Sequence, residues 1–187
     1  MWRPAQIRLR DRFRAWFWTR FWRDDGGNST IEFVLTFPAV MTLMLAGIEL
    51  GILALHHSAL ERAVDLTVRD IRLGTGSAPQ HDVLKTLICQ RAGFIDECGV
   101  NLRLEMVRAD PRNWTGIDPT PDCTDQSDEV APVRSFVNGR ENELMILRAC
   151  AKIEPMFPTA GLARHMVLDG AGQYALVSTT AFVQEPE

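Results

Sequence analysis

The feature that most constrains this chain is one long apolar run near its N-terminus, from Phe33 to Leu55, in which Glu49 is the single charged residue. If these 23 residues form a helix, they extend roughly 35 Å at about 1.5 Å per residue. The hydrocarbon core of a bilayer is about 30 Å thick. We therefore predict one transmembrane helix in this segment.

Charge is distributed unevenly on the two sides of the apolar run. Residues 1–27 contain seven Arg and three Asp, whereas residues 28–187 contain 13 basic and 21 acidic residues. Because basic residues accumulate on the cytoplasmic side of a membrane helix, we predict a cytoplasmic N-terminus and an extracytoplasmic location after about residue 56. The Arg and aromatic residues of the leader fit an amphipathic helix on the membrane surface or an unstructured leader that fixes orientation. Membrane lipid explains both residue types together, so we expect no nucleic-acid partner.

The helical pattern continues beyond the apolar run as far as Gly74. Four aliphatic residues and one Thr recur there at three- and four-residue spacing, with charged residues between them: Leu60, Val64, Thr67, Val68 and Ile71. This spacing indicates one face of a helix. We predict a single helix from about Ser29 to Leu73, kinked or loosened at Pro38, whose outer half packs one face on a globular domain.

The remaining sequence has the pattern of a small α+β domain. Gln80–Arg91 has the spacing of a short amphipathic helix, and 162–166 that of a helical turn. Three alternating segments are typical of strands with one buried face: Val100–Val107, Glu143–Ile153 and Gln173–Val183. A small antiparallel sheet packed on the outer half of the long helix would bury these faces. The predicted division is a basic leader (1–27), a transmembrane and extended helix (28–73) and an extracytoplasmic domain (74–187).

All four cysteines, Cys89, Cys98, Cys123 and Cys150, lie on the predicted outer side of the membrane. Disulfides form in such oxidising surroundings. Four cysteines allow three pairings, which the sequence does not decide; we favour Cys89 with Cys98 and Cys123 with Cys150. A zinc site is disfavoured, because the chain has no CxxC pair and its His residues are not spaced as partners.

No pattern typical of catalysis is present in the sequence. It lacks a Ser/His/Asp or Cys/His arrangement, a phosphate-binding loop and a paired-carboxylate signature. The acidic loop 110–132 lacks the alternating oxygen ligands and the Gly of an EF-hand, so we expect a solvated loop, with calcium binding as the alternative. We predict a protein that is not an enzyme and that uses no cofactor.

The most informative stretch is Gly26-Gly-Asn-Ser-Thr-Ile-Glu-Phe-Val-Leu35, where the charged leader ends in Gly and the apolar helix begins. Here the chain resembles a type IV prepilin. In that family a membrane-embedded prepilin peptidase cuts after the Gly, and the fifth mature residue is Glu. The resemblance implies cleavage after Gly27, which would make Asn28 the mature N-terminus and Glu32 the fifth residue.

Glu32 is also unusual on physical grounds, because an ionised carboxylate inside a membrane helix costs about 2.5–3.5 kcal/mol unless it is partnered or protonated. The resemblance implies that its partner is the freed α-amine of a mature N-terminus in the assembling filament. The alternative is a position at the lipid headgroups, where water satisfies the carboxylate.

Glu49 lies further along the predicted span, in Ala46-Gly-Ile-Glu-Leu-Gly51. A short acidic side chain cannot easily reach water from there, so we expect it to face protein. Gly47 and Gly51 form a GxxxG pattern, which permits close helix contact. We predict that Glu49, Gly47 and Gly51 form one assembly face; an incidental position at the outer interface is the alternative.

These features together resemble, more narrowly, the TadE-like proteins of the tight-adherence (Tad, or Flp) pilus systems. The resemblance is carried by Ile31-Glu-Phe-Val-Leu35, Phe37-Pro38, Gly47-Ile-Glu-Leu-Gly51, the polar helix beyond them and a C-terminal strand ending near 182–186. Ile52 is a departure, because many relatives carry Arg there, so any role of that Arg does not transfer. The helix resemblance covers residues 26 to about 73.

The resemblance implies a minor pilin or pilus-assembly component with a pilin-like fold, held in the bacterial inner membrane with its C-terminal domain in the periplasm, or carried into the extracellular pilus. Its partners would be other pilin and minor pilin subunits, the prepilin peptidase and the inner-membrane assembly platform, and its role would support adhesion. The alternative is an uncleaved single-pass anchor with an extracytoplasmic sensor or ligand-binding domain. A membrane-anchored enzyme is the least favoured reading.

Overall fold

The described part of the computed structural model comprises residues 29–72, 80–113, 116–123, 136–158 and 162–185. The helices are α1 (Ser29–Arg72), α2 (His81–Ala92) and the four-residue α3 (Cys98–Asn101). The strands are β1 (Leu102–Ala109), β2 (Leu144–Ile153) and β3 (Tyr174–Val183), with a 3-10 turn, Ala163–His165, between β2 and β3. The chain divides into two compact units, Met1–Leu43 and Met44–Glu187.

Helix α1 is continuous through Pro38, and its ends agree with the predicted helix to within one residue. In the apolar part of α1, two hydroxyl side chains donate hydrogen bonds to the helix backbone. Thr36 donates to the Glu32 carbonyl at 2.7 Å, and Thr42 donates to the Ala39 carbonyl at 2.8 Å. Such bonds remove the cost of placing a hydroxyl among apolar groups. The sequence of α1 is therefore compatible with lipid on all sides of its first turns.

The sheet is antiparallel, with strand order β1-β2-β3 and β2 in the centre. In its register Leu104 lies opposite Ala149, and Leu147 lies opposite Thr180. The predicted α+β architecture, a long helix with a three-stranded antiparallel sheet, is confirmed. One boundary was wrong: residues 100 and 101 belong to α3 rather than to the first strand, where the Asn101 amide donates to the Asp96 carbonyl at 2.8 Å.

The core of the second unit lies between one face of the sheet and one stripe of α1. The stripe repeats every three or four residues, as the sequence predicted, and consists of buried Leu60, Ala63, Val64, Thr67, Val68 and Ile71. The sheet contributes alternate β2 residues, including fully buried Met145 and Leu147, and α2 adds Leu84 and Ile88. Burying these side chains supplies the main stabilising term of the unit, at about 25 cal/mol per Å² of apolar surface.

The other face of β2 is also buried, and it includes two charged residues. Arg148 forms a 2.9 Å ion pair with Glu105 of β1 and donates to the Asp118 carbonyl at 2.8 Å. Lys152 forms a 2.7 Å ion pair with Asp169. Charges buried in this way need partners, because an isolated buried charge is strongly destabilising. This face explains why β2 is buried along nearly its whole length, whereas the sequence pattern predicted one buried face.

Two disulfides link elements of the second unit. Cys89 of α2 is bonded to Cys98 of α3, nine residues away, and Cys123 is bonded to Cys150 of β2 across 27 residues. The first closes the connection between the two short helices. The second fastens the described part of the acidic loop, residues 110–113 and 116–123, to the charged face of the sheet.

Candidate functional site

The apolar residues at the start of α1 present their side chains outward. Phe33 is 60% exposed and Leu35 72% exposed, and every residue from Ser29 to Val40 is exposed. Phe33 and Phe37 stack on each other, with ring centroids 4.9 Å apart. So large an apolar surface is unfavourable in water and indicates a lipid or protein environment.

Glu32 lies within this exposed apolar segment. It occupies the first turn of α1, where the positive end of the helix dipole favours a carboxylate. Its side chain is exposed and makes no ion pair with any described residue. Gly27 and Asn28, the residues predicted to flank a cleavage site, lie outside the described residues.

Gly47 and Gly51 lie on an open surface of α1. Both residues are exposed, and a Cβ atom added at either position would meet no described atom within 4 Å. Because the two are four residues apart, they share one side of the helix. That side is therefore accessible and smooth enough for another helix to approach closely.

Glu49 points away from the two glycines and into the second unit. It is 4% exposed, and its Oε2 accepts hydrogen bonds from the backbone N–H groups of Leu162 at 2.8 Å and Ala163 at 3.0 Å. These N–H groups lie at the start of the 3-10 turn and have no hydrogen-bond acceptor within the turn. Glu49 therefore binds α1 to the connection between β2 and β3.

Two titratable residues lie beside Glu49 and have altered acidity. Burial raises the pKa of Tyr174 above its usual value, and the negative charge of Glu49 raises it further. Burial lowers the pKa of His56, an effect that the charge of Asp96 partly offsets. The His56 ring also stacks on Phe94 at a centroid distance of 4.4 Å. Both side chains are thus neutral near pH 7.

The structure does not bring the predicted assembly residues onto one face. Adjacent helix positions differ by about 100°, so Glu49 lies on the side of α1 opposite Gly47 and Gly51. A sequence signal for this was available. Glu49 extends the core stripe of α1 through Leu53, His56 and Leu60 at spacings of four, three and four residues, which marks it as inward-facing.

Residues 27–69 match the family model described as TadE-like protein. Over these residues, the chain is TadE-like. The match covers α1 with Glu32, Gly47, Glu49 and Gly51 and ends before α2. Comparison with curated proteins and with solved structures returns no match.

This match associates the TadE-like segment with the pilin-like proteins of the Tad pilus. Among the described residues, α1 is the one helix that is long and apolar enough to cross a membrane. Together with the disulfides of the second unit, this is consistent with a membrane and extracytoplasmic location. Pilin-like families are generally not enzymes.

The other candidate groups of the TadE-like chain do not converge on a reactive site. Within the described ranges, no three His, Cys, Asp or Glu residues are arranged to hold a metal ion. Residues 124–132 of the acidic loop lie outside those ranges. His57 pairs with Glu61 at 3.5 Å, whereas the neighbouring His56 stacks on Phe94, so the two His residues do not form a pair.

Proposed function

We propose that this protein is a minor pilin or assembly component of a Tad pilus, cut after Gly27 and joined to other pilin subunits through the N-terminal half of α1. The observation that carries the proposal is the exposed apolar surface of α1 that contains Glu32. A surface of this kind needs a bilayer before assembly and neighbouring helices after it. The same apolar residues can therefore contact lipid before assembly and neighbouring helices after it.

The length of the exposed apolar segment supports a membrane location. From Ile31 to Ile48, exposed large apolar residues recur and no residue is buried, and Glu49 is the first buried residue of α1. Eighteen helical residues extend roughly 27 Å, close to the thickness of a hydrocarbon core of about 30 Å. From Glu49 onward one side of α1 packs on the chain's own domain, while Leu50 and Leu55 stay exposed. The part of the run without a buried residue is therefore shorter than Phe33 to Leu55.

Glu32 provides the assembly contact in this proposal. Its exposed carboxylate has no ion-pair partner among the described residues, and lipid cannot supply one. Cleavage after Gly27 creates an α-amine on Asn28, and in a filament such an amine can pair with the Glu32 of a neighbouring subunit. The pairing replaces an uncompensated charge in lipid with an ion pair between subunits.

Gly47 and Gly51 supply a second contact surface in the proposal. Their side of α1 is open, so a neighbouring helix can pack there without displacing any described atom. Close backbone approach of this kind is a common source of helix association in membranes. Glu49 holds the domain on the opposite side and keeps this surface free.

The proposal is tested by replacing Glu32 in cells that make the pilus. Glu32→Ala should leave membrane insertion unchanged and reduce the number of pili by about tenfold or more, since a lost contact of about 1.4 kcal/mol changes an association constant tenfold. Glu32→Asp should retain part of the activity, and Glu61→Ala, at an exposed acid further along α1, should retain all of it. Normal piliation with Glu32→Ala would contradict the proposal, as would equal losses in both alanine variants.

A further inference from the structure

A small cavity lies in the second unit beside Glu49. Its volume is about 150 Å³, and nine residues of α1, the β2–β3 connection and β3 line it. Its walls are mainly apolar side chains: Ile52, Leu53, Pro155, Met156 and Met166. Cavities of about this volume admit a molecule the size of benzene. The space is therefore sufficient for a short alkyl chain.

Glu49 is one of the polar residues that line the cavity. Its Oε2 accepts both hydrogen bonds from the 3-10 turn, whereas its Oε1 is buried and has no hydrogen-bond partner among the described residues. A buried carboxylate oxygen without a donor is costly. Such an oxygen on a residue that lines an apolar cavity indicates a ligand that brings its own hydrogen-bond donor.

The charge of the cavity favours a cationic donor. Glu154 is a second acidic residue in the lining, and none of the nine lining residues is Lys or Arg. Tyr174 and His56 also line it and are neutral near pH 7, so nothing among the described lining residues balances the carboxylates. A cation that enters would form a charge-assisted hydrogen bond in low-dielectric surroundings.

We infer that this cavity binds a primary ammonium group carried on an alkyl chain, as in the lysine side chain of a partner protein. The four methylenes of lysine match the apolar walls, and its N–H groups match Oε1 of Glu49. A phosphatidylethanolamine headgroup fits less well, because its phosphate would approach Glu154 without a basic residue to meet it. The inference concerns a pocket away from the proposed assembly face of Gly47 and Gly51 and does not depend on pilus assembly.

The test uses the full-length protein in phosphatidylcholine nanodiscs, with ¹³C-methyl methionine as the reporter. Titration with n-butylammonium chloride should shift the methyl signals of Met156 and Met166 saturably, and should leave the signal of Met145, which does not line the cavity, unchanged. n-Butanol, which has the same chain without the charge, should bind about tenfold or more weakly. Equal binding of the two compounds, or no saturable shift with either, would overturn the inference.

Glu49→Gln is the matched variant for this test. Its amide oxygen can still accept the N–H groups of Leu162 and Ala163, while the negative charge is lost, so affinity for n-butylammonium should fall about tenfold or more. Retained affinity in a folded Glu49→Gln protein would overturn the inference. If the variant does not fold, the comparison of n-butylammonium with n-butanol in the unaltered protein decides.

Nanodiscs of a second lipid composition test whether a lipid headgroup occupies the cavity instead. Nanodiscs containing phosphatidylethanolamine should give the same Met156 and Met166 signals as phosphatidylcholine nanodiscs if the pocket awaits a protein side chain. Signals already shifted as by n-butylammonium, together with weakened n-butylammonium binding, would assign the pocket to a lipid headgroup and overturn the lysine proposal.

Discussion

The Oε2 atom of Glu49 lies 3.0 Å from the backbone nitrogen of Ala163, across 114 residues of sequence. This bond and its neighbour at Leu162 tie the end of the exposed apolar part of α1 to the connection that leads into β3. The carboxylate of Glu49, which is unexpected in an apolar run, thus accepts its hydrogen bonds from within the chain. Its role here is to position the domain on the helix.

Replacing Glu49 should therefore destabilise the second unit. Glu49→Ala leaves two N–H groups without an acceptor, and each buried unsatisfied group costs about 1–3 kcal/mol, so we expect a loss of about 2–6 kcal/mol. Glu49→Gln should cost less, because its amide oxygen still accepts. Thermal unfolding should show this order, and hydrogen exchange should show lost protection at Leu162 and Ala163. Glu61→Ala is the control, and an equal effect there would contradict the assignment.

His56 should make the stability of the unit depend on pH. Burial holds its pKa below the ordinary value of about 6.5, so the unfolded chain binds a proton more readily than the folded one. Stability is then fully present above about pH 6.5 and falls as the pH is lowered through that value. Unfolding temperatures measured between pH 5 and pH 8 should show the fall, and His56→Gln should weaken it.

The matched control for that experiment is His57→Gln, because His57 is a partly exposed neighbour that pairs with Glu61 instead. It should leave the pH dependence unchanged. A pH profile that is the same in both variants would exclude His56 as its source.

A substitution on the exposed side of α1 that carries Gly47 and Gly51 should impair assembly without affecting folding. Gly47→Leu adds a side chain where no described atom lies within 4 Å, so the unfolding temperature should stay near that of the unaltered protein while pilus assembly is lost. Gly99→Leu, the same change at an exposed glycine of α3 whose added Cβ would also meet no described atom within 4 Å, should affect neither. Normal piliation with Gly47→Leu would remove this face from the assembly contact.

The two disulfides should contribute unequally to stability. In the chain-entropy model a loop of 27 residues is worth about 3.5 kcal/mol and a loop of nine residues about 2.5 kcal/mol. Replacing Cys123 and Cys150 by Ser should therefore lower the unfolding temperature more than replacing Cys89 and Cys98. Denaturant unfolding of both double variants, with thiol labelling of the unaltered protein, checks the order.

Much of the fold follows from periodicity in the sequence. The stripe from Leu60 to Ile71 predicted the buried face of α1, and alternation predicted all three strands to within a few residues. The start of β1 was misplaced because the Cys89–Cys98 disulfide and the Asn101 side chain stabilise a helical turn, and neither contact has a periodic signature.

The candidate site was only partly predictable. The cost of a carboxylate in an apolar run drew attention to Glu32 and Glu49, but the partners of Glu49 are two backbone N–H groups of the β2–β3 connection. Backbone donors leave no trace in side-chain identity, so the sequence could not name them. Similarly, the cavity beside Glu49 depends on how Met156 and Met166 pack against α1. Alternation in strands and helical spacing do not predict such packing between elements.

The central claim, that this TadE-like chain is processed and then assembled through its N-terminal helix, is tested most directly by the mature N-terminus. The protein should be purified from cells with and without an active prepilin peptidase, and its N-terminal sequence and intact mass measured. Asn28 should be the first residue when the peptidase is active, and the full leader should remain when it is absent. A protein that begins at Met1 in both strains and still supports normal piliation would contradict it.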